Sequence, residues 1–332
     1  MRKIRVAQIG IGHDHAPWVL QSIRKQKDIF DVAGIVLPAG EQEKFPHWAV
    51  YYEGLPQLQL EQVLADDTIE AVIIESEEVN LTALALACAR AGKQIHMDKP
   101  GGLSLPEFEQ LIETVREKQL VFHTGYMYRY NPEVARLLRR VKDGELGQII
   151  SVEAQMNCFH TPQKRQWLEN FPGGMMFFLG CHLIDLILQI QGLPKDILPL
   201  NCSTGADGVT AQDYGMAVLA YENGISFAKT NAAERGGFLR RQLVVTGEKE
   251  TVELKPLETV ADYPLHYTDC VACRDADWHK PGQTSRCVPY DRYDDMMASF
   301  AAMVRGEKEN PWSYDYELTL YKTLLRCCGV EV

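Results

Sequence analysis

The apolar stretch Gln94–Met97 ends on Asp98-Lys99-Pro100-Gly101-Gly102. Read as a buried parallel strand, it carries a carboxylate and an amine out at its carboxyl end, where ligands bind in open α/β sheets. Pro100 removes an N–H and fixes a turn, which stops the strand and holds Lys99 at the crevice. The plainer alternative is a surface lysine after a strand. A second group, Gly10-Ile11-Gly12-His13-Asp14-His15, follows the apolar run Ile4–Ile9 and precedes a helical pattern from Ala16. A strand, a Gly-x-Gly turn and a helix start together aim backbone N–H groups at a pyrophosphate. Gly10 permits the tight turn, Gly12 lets the backbone approach the phosphates, and His15 stands where the fingerprint has its third small residue. A structural turn would use Gly-x-Gly equally, so the weight comes from its place at the first strand–helix junction. His13 and His15 are either residues of the helix start that donate to a phosphate or water, or groups with a chemical role of their own. The acid that reads a dinucleotide's adenosine ribose belongs at the carboxyl end of the second strand. That end is Val36-Leu37-Pro38-Ala39-Gly40, with Asp31 at the opposite end and no Arg beside it, so NAD and NADP both stay open. Further along, His182 and Asp185 interrupt the long apolar segment 175–190. Polar groups on a buried helix need partners; His182 is then a satisfied core histidine or an active-site group, and Asp185 is structural.

These groups need elements to hold them. Over the first 130 or so residues, apolar runs at Ile4–Ile9, 32–37, Ala71–Ile74, Gln94–Met97 and 120–123 alternate with amphipathic segments at Ala16–Lys25, 60–64, 81–91 and 105–118. Short apolar strands separated by such helices predict βαβ units and a doubly wound parallel sheet of Rossmann type. Beyond Gly147 the texture changes to alternating runs at 149–156, Tyr214–Tyr221, 225–230, 239–246 and Thr251–Leu254, with Glu222-Asn223-Gly224 as a hairpin turn. Helical segments near 292–305 and 314–328 close the chain. The expectation is an α/β dinucleotide-binding domain over 1–128. An α+β domain with an open-faced, largely antiparallel sheet follows over 129–332, serving substrate binding and oligomerisation. Two domains suit a chain of 332 residues. The formal net charge of −11 argues against a nucleic-acid partner, which would meet a basic face. The apolar segment 175–190 is too short and too polar for a membrane span. With no secretory leader read at the start, nine cysteines are taken as free thiols of a reducing cytoplasm. Cys270-Val-Ala-Cys273 with His279 and Cys287 contains one half of a zinc-type spacing; the remaining ligands are irregular, and the expectation is no metal.

Five motifs in order and spacing make the chain resemble the Gfo/Idh/MocA family of NAD(P)-dependent oxidoreductases. They are the Gly-x-Gly loop, Ala89-Arg-Ala-Gly-Lys-Gln-Ile-His-Met-Asp-Lys-Pro100, Gly125-Tyr-Met-Tyr-Arg-Tyr-Asn-Pro132, Gly144-Glu-Leu-Gly147 and Gly173-Gly174 followed by Gly180-Cys-His-Leu-Ile-Asp185. The resemblance covers essentially the whole chain. It implies a Rossmann domain followed by an open-faced sheet, NAD or NADP as cofactor, and oxidation or reduction at a hydroxyl or keto group of a sugar, inositol or related polyol. Lys99 then corresponds to the family's active-site lysine and His182 to its active-site histidine. The chemistry agrees: oxidising a secondary alcohol requires a base for the hydroxyl proton, and a partly desolvated Lys beside a cationic ring is one. The cofactor set is Gly10, Ile11, Gly12, His13, Asp14, His15, Ser76, Glu77, Asp98, Lys99 and Pro100. The substrate set is Tyr126, Tyr128, Arg129, Trp167, Phe178 and His182. The resemblance also implies a homodimer or homotetramer formed through the sheet face.

The pattern breaks at Phe178, where the family has an Asp four residues before the His, one helical turn away. Phenylalanine cannot accept a proton, so another acid or Tyr128 substitutes, or the substrate has an apolar portion. Arg129 either holds an acidic substrate group or ties the domains together. Trp167, with Lys164 and Arg165, covers the substrate or lies in a solvated loop. Two other functions stay open: a glycoside-cleaving enzyme that recycles tightly bound NAD internally, and a non-catalytic dinucleotide-binding regulator.

Overall fold

The computed structural model describes residues 2–332. It divides into two compact units, 2–127 with 293–321, and 128–292 with 322–332. Sequence reading divides the chain after residue 128; the first unit ends its first segment at 127. Residues 293–321 fold with the first unit, although sequence reading assigns them to the second.

Unit 1 holds a six-stranded parallel sheet of β1 (Ile4–Ile9), β2 (Phe30–Val36), β3 (Gln57–Leu58), β4 (Ala71–Ile74), β5 (Gln94–Met97) and β6 (Phe122–Thr124), in the order β3-β2-β1-β4-β5-β6. β4 is buried along its whole length, as a sheet covered on both faces requires. Helix Leu105–Glu117 starts on Ser104, whose side chain accepts from the Glu107 N–H, with Pro106 in the first turn. The order turns back on itself around β1 and β4, and the carboxyl ends of such strands form the ligand crevice of a doubly wound sheet.

Unit 2 holds an eight-stranded sheet built from β7 (Ile149–Asn157), β8 (Asp196–Pro199), β9 (Tyr214–Tyr221), β10 (Gly224–Asn231), β11 (Gln242–Gly247), β12 (Thr251–Leu254), β15 (Asp269–Cys273) and β16 (Gln283–Arg286). Between them, β13 (Thr259–Asp262) and β14 (Leu265–Tyr267) pair as a separate two-stranded sheet. The large sheet runs β16-β15-β12-β11-β7-β10-β9-β8, antiparallel except where β7 and β10 pair in parallel. The expected strand 239–246 starts later, at Gln242, because Gly237–Arg240 forms a 3₁₀ turn. The apolar segment 175–190 is not one helix: Met176–Gly180 winds as a π-helix and Cys181–Gln191 as an α-helix, which packs across β7 and β10. No described helix is long and apolar enough to cross a membrane.

Candidate active site

In unit 1, the turn after β1 is set by what surrounds it. A Cβ on Gly10, at φ +90°, would come within 2.5 Å of the Ser76 backbone, and one on Gly12 within 2.6 Å of the Glu77 N. The glycines therefore let this turn press against Ser76-Glu77, the residues that follow β4. Both belong to the expected cofactor set, and the structure brings them onto the loop. The side chain of Glu41, which sequence reading missed, closes on the same place. Its carboxylate accepts from the Ile11 N–H at 2.7 Å, the Glu77 N–H at 3.1 Å and the Ser76 hydroxyl. Glu41 lies beyond Gly40, outside the stretch where a strand-end acid is sought.

The two histidines of the loop turn toward β5. His13 is fully buried; its Nε2 lies 3.0 Å from the Lys99 carbonyl oxygen, and its Nδ1 lies 3.1 Å from the His15 backbone N and 3.2 Å from Asp98. His15 Nδ1 lies 3.0 Å from the same carboxylate. Both thus join the glycine turn to the Asp-Lys-Pro turn, which goes beyond a helix start that donates to phosphate or water. Burial lowers the His13 pKa, but the Asp98 carboxylate outweighs it and holds the imidazole above its ordinary value. Burial dominates for His15, pushing it down to about 4. Asp98 is opposed by burial too, yet the two imidazoles keep it well below the usual carboxylate range. Beneath them Glu75, fully buried at the end of β4, is pushed well up by burial and then by the Asp98 charge, toward its neutral form. One ligand atom from each of His13, His15 and Asp98 lies within 4.8 Å of the others, so this trio could also hold a small cation. Imidazole–carboxylate hydrogen bonds account for the contacts as they stand.

Lys99 is held from every side along its backbone. Its N–H donates to Asp98 Oδ1 at 2.7 Å, its carbonyl meets His13, and its side chain is 2% exposed at the crevice end of β5. The Lys99–Pro100 bond is cis. The next two carbonyls are pinned as well: Gly101 accepts from Thr82 Oγ1 at 2.6 Å and Gly102 from the Tyr321 hydroxyl at 3.0 Å. Gly125 is required because a Cβ there would lie 2.6 Å from Asp98 Oδ1. Tyr126, beside it, is buried. The surface-lysine alternative is thereby removed.

In unit 2, His182 is 1% exposed, and its ring meets Tyr128 edge-on at 5.0 Å. The Tyr128 hydroxyl donates to Glu258 and accepts from Arg241 Nη1 at 2.9 Å. Glu258 also accepts from Arg241 at 2.6 Å and Arg292 at 2.7 Å. Burial acts to raise Glu258, but Arg292 and Arg241 overcome it and bring it down to about 2. Tyr128 is pushed up by burial, which makes its hydroxyl a hydrogen-bond donor and not a ready base. Arg129 departs from expectation. Its guanidinium meets Asp185 through Nε at 3.0 Å and Nη2 at 2.7 Å, both side chains being 1% exposed, so it forms a buried ion pair within unit 2. Asp185 is structural, as its place on the helix suggests, and Gln189 donates to it at 2.9 Å.

Phe178 also differs from its expected geometry. In a π turn the hydrogen bond closes from i to i+5, so Phe178 and His182 do not stack one α-turn apart. Phe178 packs instead against Trp167 edge-on at 5.4 Å and parallel to Phe171 at 6.2 Å, with the Lys164 ammonium 3.8 Å from the Trp167 ring centre. Pro162–Trp167 is a helix capped by Thr161, not a solvated loop, and Arg165 is fully buried against Asp213 and Asp207. The Cys270/Cys273 pair sits on β15 three residues apart, which puts the thiols on opposite faces of a strand. Cys270 is buried and Cys273 exposed, so that spacing does not converge on a metal.

Residues 4–126 match the model of an oxidoreductase family with an NAD-binding Rossmann fold, and residues 134–253 match the GFO/IDH/MocA C-terminal domain. The chain is 25% identical over 198 residues to scyllo-inositol 2-dehydrogenase (NADP(+)) of Bacillus subtilis. The aligned stretch is 58% of this chain and spans about half of that relative, 53%. Levoglucosan dehydrogenase, solved in complex with NADH and levoglucosan, superposes with a TM-score of 0.79 at 15% identity, covering 99% of this chain and 98% of that one. The aldose-aldose oxidoreductase of Caulobacter crescentus, complexed with glycerol, superposes at 0.77 and 16%, with the same coverage. At these identities the two structures establish a shared fold.

Proposed function

Because the chain belongs to the GFO/IDH/MocA family of oxidoreductases and carries an NAD(P)-binding Rossmann domain, we propose that it transfers hydride between NAD(P) and a hydroxyl or keto carbon of a sugar, inositol or related polyol. The observation that carries this reading is Lys99, buried at the carboxyl end of β5 with its backbone fixed by Asp98 and His13. The residues present fit a dinucleotide. The turn lies at the carboxyl ends of β1 and β4, and its two glycines, where a Cβ would meet Ser76 and Glu77, bring the backbone to the place where a doubly wound sheet takes a dinucleotide. Gly10, Ile11, Gly12, Ser76 and Glu77 would hold the adenosine and phosphate portions, and Asp98, Lys99 and Pro100 the nicotinamide end. When bound, the nicotinamide supplies the hydride acceptor or donor.

Everything else falls to side chains. In the oxidising direction the substrate hydroxyl must lose its proton as the hydride leaves, and Lys99 Nζ in its neutral form takes that proton. Asp98 and His13 position the lysine by holding its backbone. His182 is assigned as the second polar group toward the substrate hydroxyl. The Trp167 and Phe178 rings, with the Lys164 ammonium beside them, suit the apolar C–H face of a sugar or inositol ring. The aromatic residue at 178 favours a substrate that presents such a face at the place where the family has an acid.

Titration of cofactor-stripped protein with NAD and NADP, followed by a sugar and polyol panel read by nicotinamide absorbance, tests the reading. Lys99→Ala should lower kcat by about 10²–10⁴-fold while the dinucleotide still binds. Dinucleotide binding with no turnover on any member of the panel, or a Lys99→Ala enzyme as fast as the wild type, would overturn it.

A further inference from the structure

The carboxyl ends of β1, β4 and β5 bring four side chains to one place, three of them buried and that of His15 13% exposed. His13 Nδ1 lies 3.2 Å from Asp98 Oδ2, His15 Nδ1 lies 3.0 Å from the same oxygen, and Glu75 Oε2 lies 3.8 Å from His13 Nδ1. Hydrogen bonds serve the first three groups and leave out the fourth. Glu75 is fully buried, and neither of its carboxylate oxygens has a hydrogen-bond partner. Burying such a group without partners is costly, and it needs a reason. The spacing supplies one. Four ligand atoms placed tetrahedrally at about 2.0–2.1 Å from one ion stand about 3.3 Å apart, and the three distances bracket that value.

We infer that His13, His15, Asp98 and Glu75 form a binding site for one divalent transition-metal ion of the zinc class. Two imidazoles with two carboxylates suit such an ion, whereas Mg²⁺ and Ca²⁺ take oxygen ligands. The surrounding contacts are those that metal ligands need. His13 Nε2 lies 3.0 Å from the Lys99 carbonyl oxygen; with its proton held there, Nδ1 is the nitrogen left to bind the ion. On that nitrogen the ion takes the place of the His15 backbone N, 3.1 Å away. Asp98 Oδ1 accepts from the Lys99 N–H at 2.7 Å, which leaves Oδ2 for the ion. His96 Nε2, buried and without a partner, lies 3.6 Å from Glu75 Oε1 and orients that carboxylate. Glu78 approaches His13 Nε2 at 3.7 Å, so three carboxylates gather in this buried place, and a divalent cation offsets charge that protons must otherwise offset. The exposed edge of His15 gives the ion a way in. Once bound, it ties the glycine turn to the Asp-Lys-Pro turn and fixes the backbone of Lys99. The site stands on these contacts and does not depend on the proposed reaction.

The test uses full-length protein, freed of metal with a chelator and kept free of dinucleotide. Co²⁺ is titrated by visible absorbance, and Zn²⁺ by competition with a chromophoric chelator. One equivalent of each should bind. Co²⁺ should give the visible bands of a four-coordinate ion, without the near-ultraviolet thiolate band that cysteine ligands produce, and hyperfine-shifted proton signals from two histidine rings. Glu75→Gln and His13→Ala each remove a ligand and should weaken Zn²⁺ binding by more than about 100-fold, beyond the roughly 10–100-fold cost of losing a supporting contact. Wild-type protein that binds no equivalent, shows a thiolate band or shows fewer than two histidine rings overturns the site, whether or not the variants fold. A cooperatively melting Glu75→Gln or His13→Ala protein with Zn²⁺ affinity within about tenfold of the wild type overturns the assignment to these residues.

Discussion

Arg129 and Asp185 form a forked contact between a residue just past β6 and the helix that carries His182, with contacts down to 2.7 Å and both side chains 1% exposed. Removing one partner of such a buried pair strands the other charge, which costs about 3–5 kcal/mol, whereas replacing both with apolar groups is often neutral. Arg129→Ala should therefore lose about that much in urea unfolding, and Arg129→Met combined with Asp185→Leu should recover most of it. A single variant with unchanged unfolding and a raised KM would instead return Arg129 to the substrate. Nothing local in the sequence names this partner: the two residues are far apart in the chain, and spacing arguments reach only a few residues. The place of Lys99 at the end of β5 was legible because it is signalled locally, by a proline directly after a charged strand end. Glu41 was not, because its meaning depends on a loop folding back over the turn after β1.

At the scale of elements, the strand ends determine the geometry of the site. Gly125 leaves β6 at the point where a Cβ would overlap the Asp98 carboxylate at 2.6 Å and its Cα at 2.9 Å. Gly125→Ala must push Asp98 off its two imidazoles or shift β6 away from β5, an overpacking penalty of about 1–3 kcal/mol. It should lower the melting temperature and also cut kcat, since Asp98 carries the Lys99 N–H; loss of stability alone, with full activity, would mean the turn can relax independently. The strands themselves were largely written in the sequence. β1, β4, β5, β9 and β12 have the bounds their apolar or alternating runs suggest, because a strand buried on one or both faces has few other ways to arrange such residues. The π winding of Met176–Gly180 leaves no comparable trace, since an all-apolar run has no polar face from which to read its period. The strand β16 was missed for the opposite reason: it is exposed throughout and carries no hydrophobic alternation.

At the scale of the molecule, unit 1 is discontinuous, and its closing segment does more than cap it. Asn310 Nδ2 donates to the Phe122 carbonyl at 2.7 Å, Thr124 Oγ1 to Glu317 at 2.9 Å, and Ser22 Oγ to Asp294 at 2.8 Å. Phe300 stacks on His123 at 5.5 Å. Met296, Met297, Phe300, Leu320 and Tyr321 are all buried. At about 1.5–3 kcal/mol for each such side chain, their sum rivals the whole stability of a domain, about 5–15 kcal/mol. A fragment of residues 1–127 should therefore show no cooperative melt and no dinucleotide binding, while the same fragment linked to residues 293–321 should regain both. A stable 1–127 fragment would show that the closing segment is dispensable.

The same discontinuity has a consequence in time. A ribosome adding about 5–20 residues per second releases the strands of β1 to β6 long before the segment that completes their core. The intervening residues 128–292 separate the two parts of unit 1 in the chain. The delay is roughly 10–40 s at those rates. During that interval the nascent chain presents an unfinished parallel sheet with apolar residues uncovered, while unit 2 emerges with nearly all of its sequence. The unit that begins first along this sequence is thus among the last to be completed.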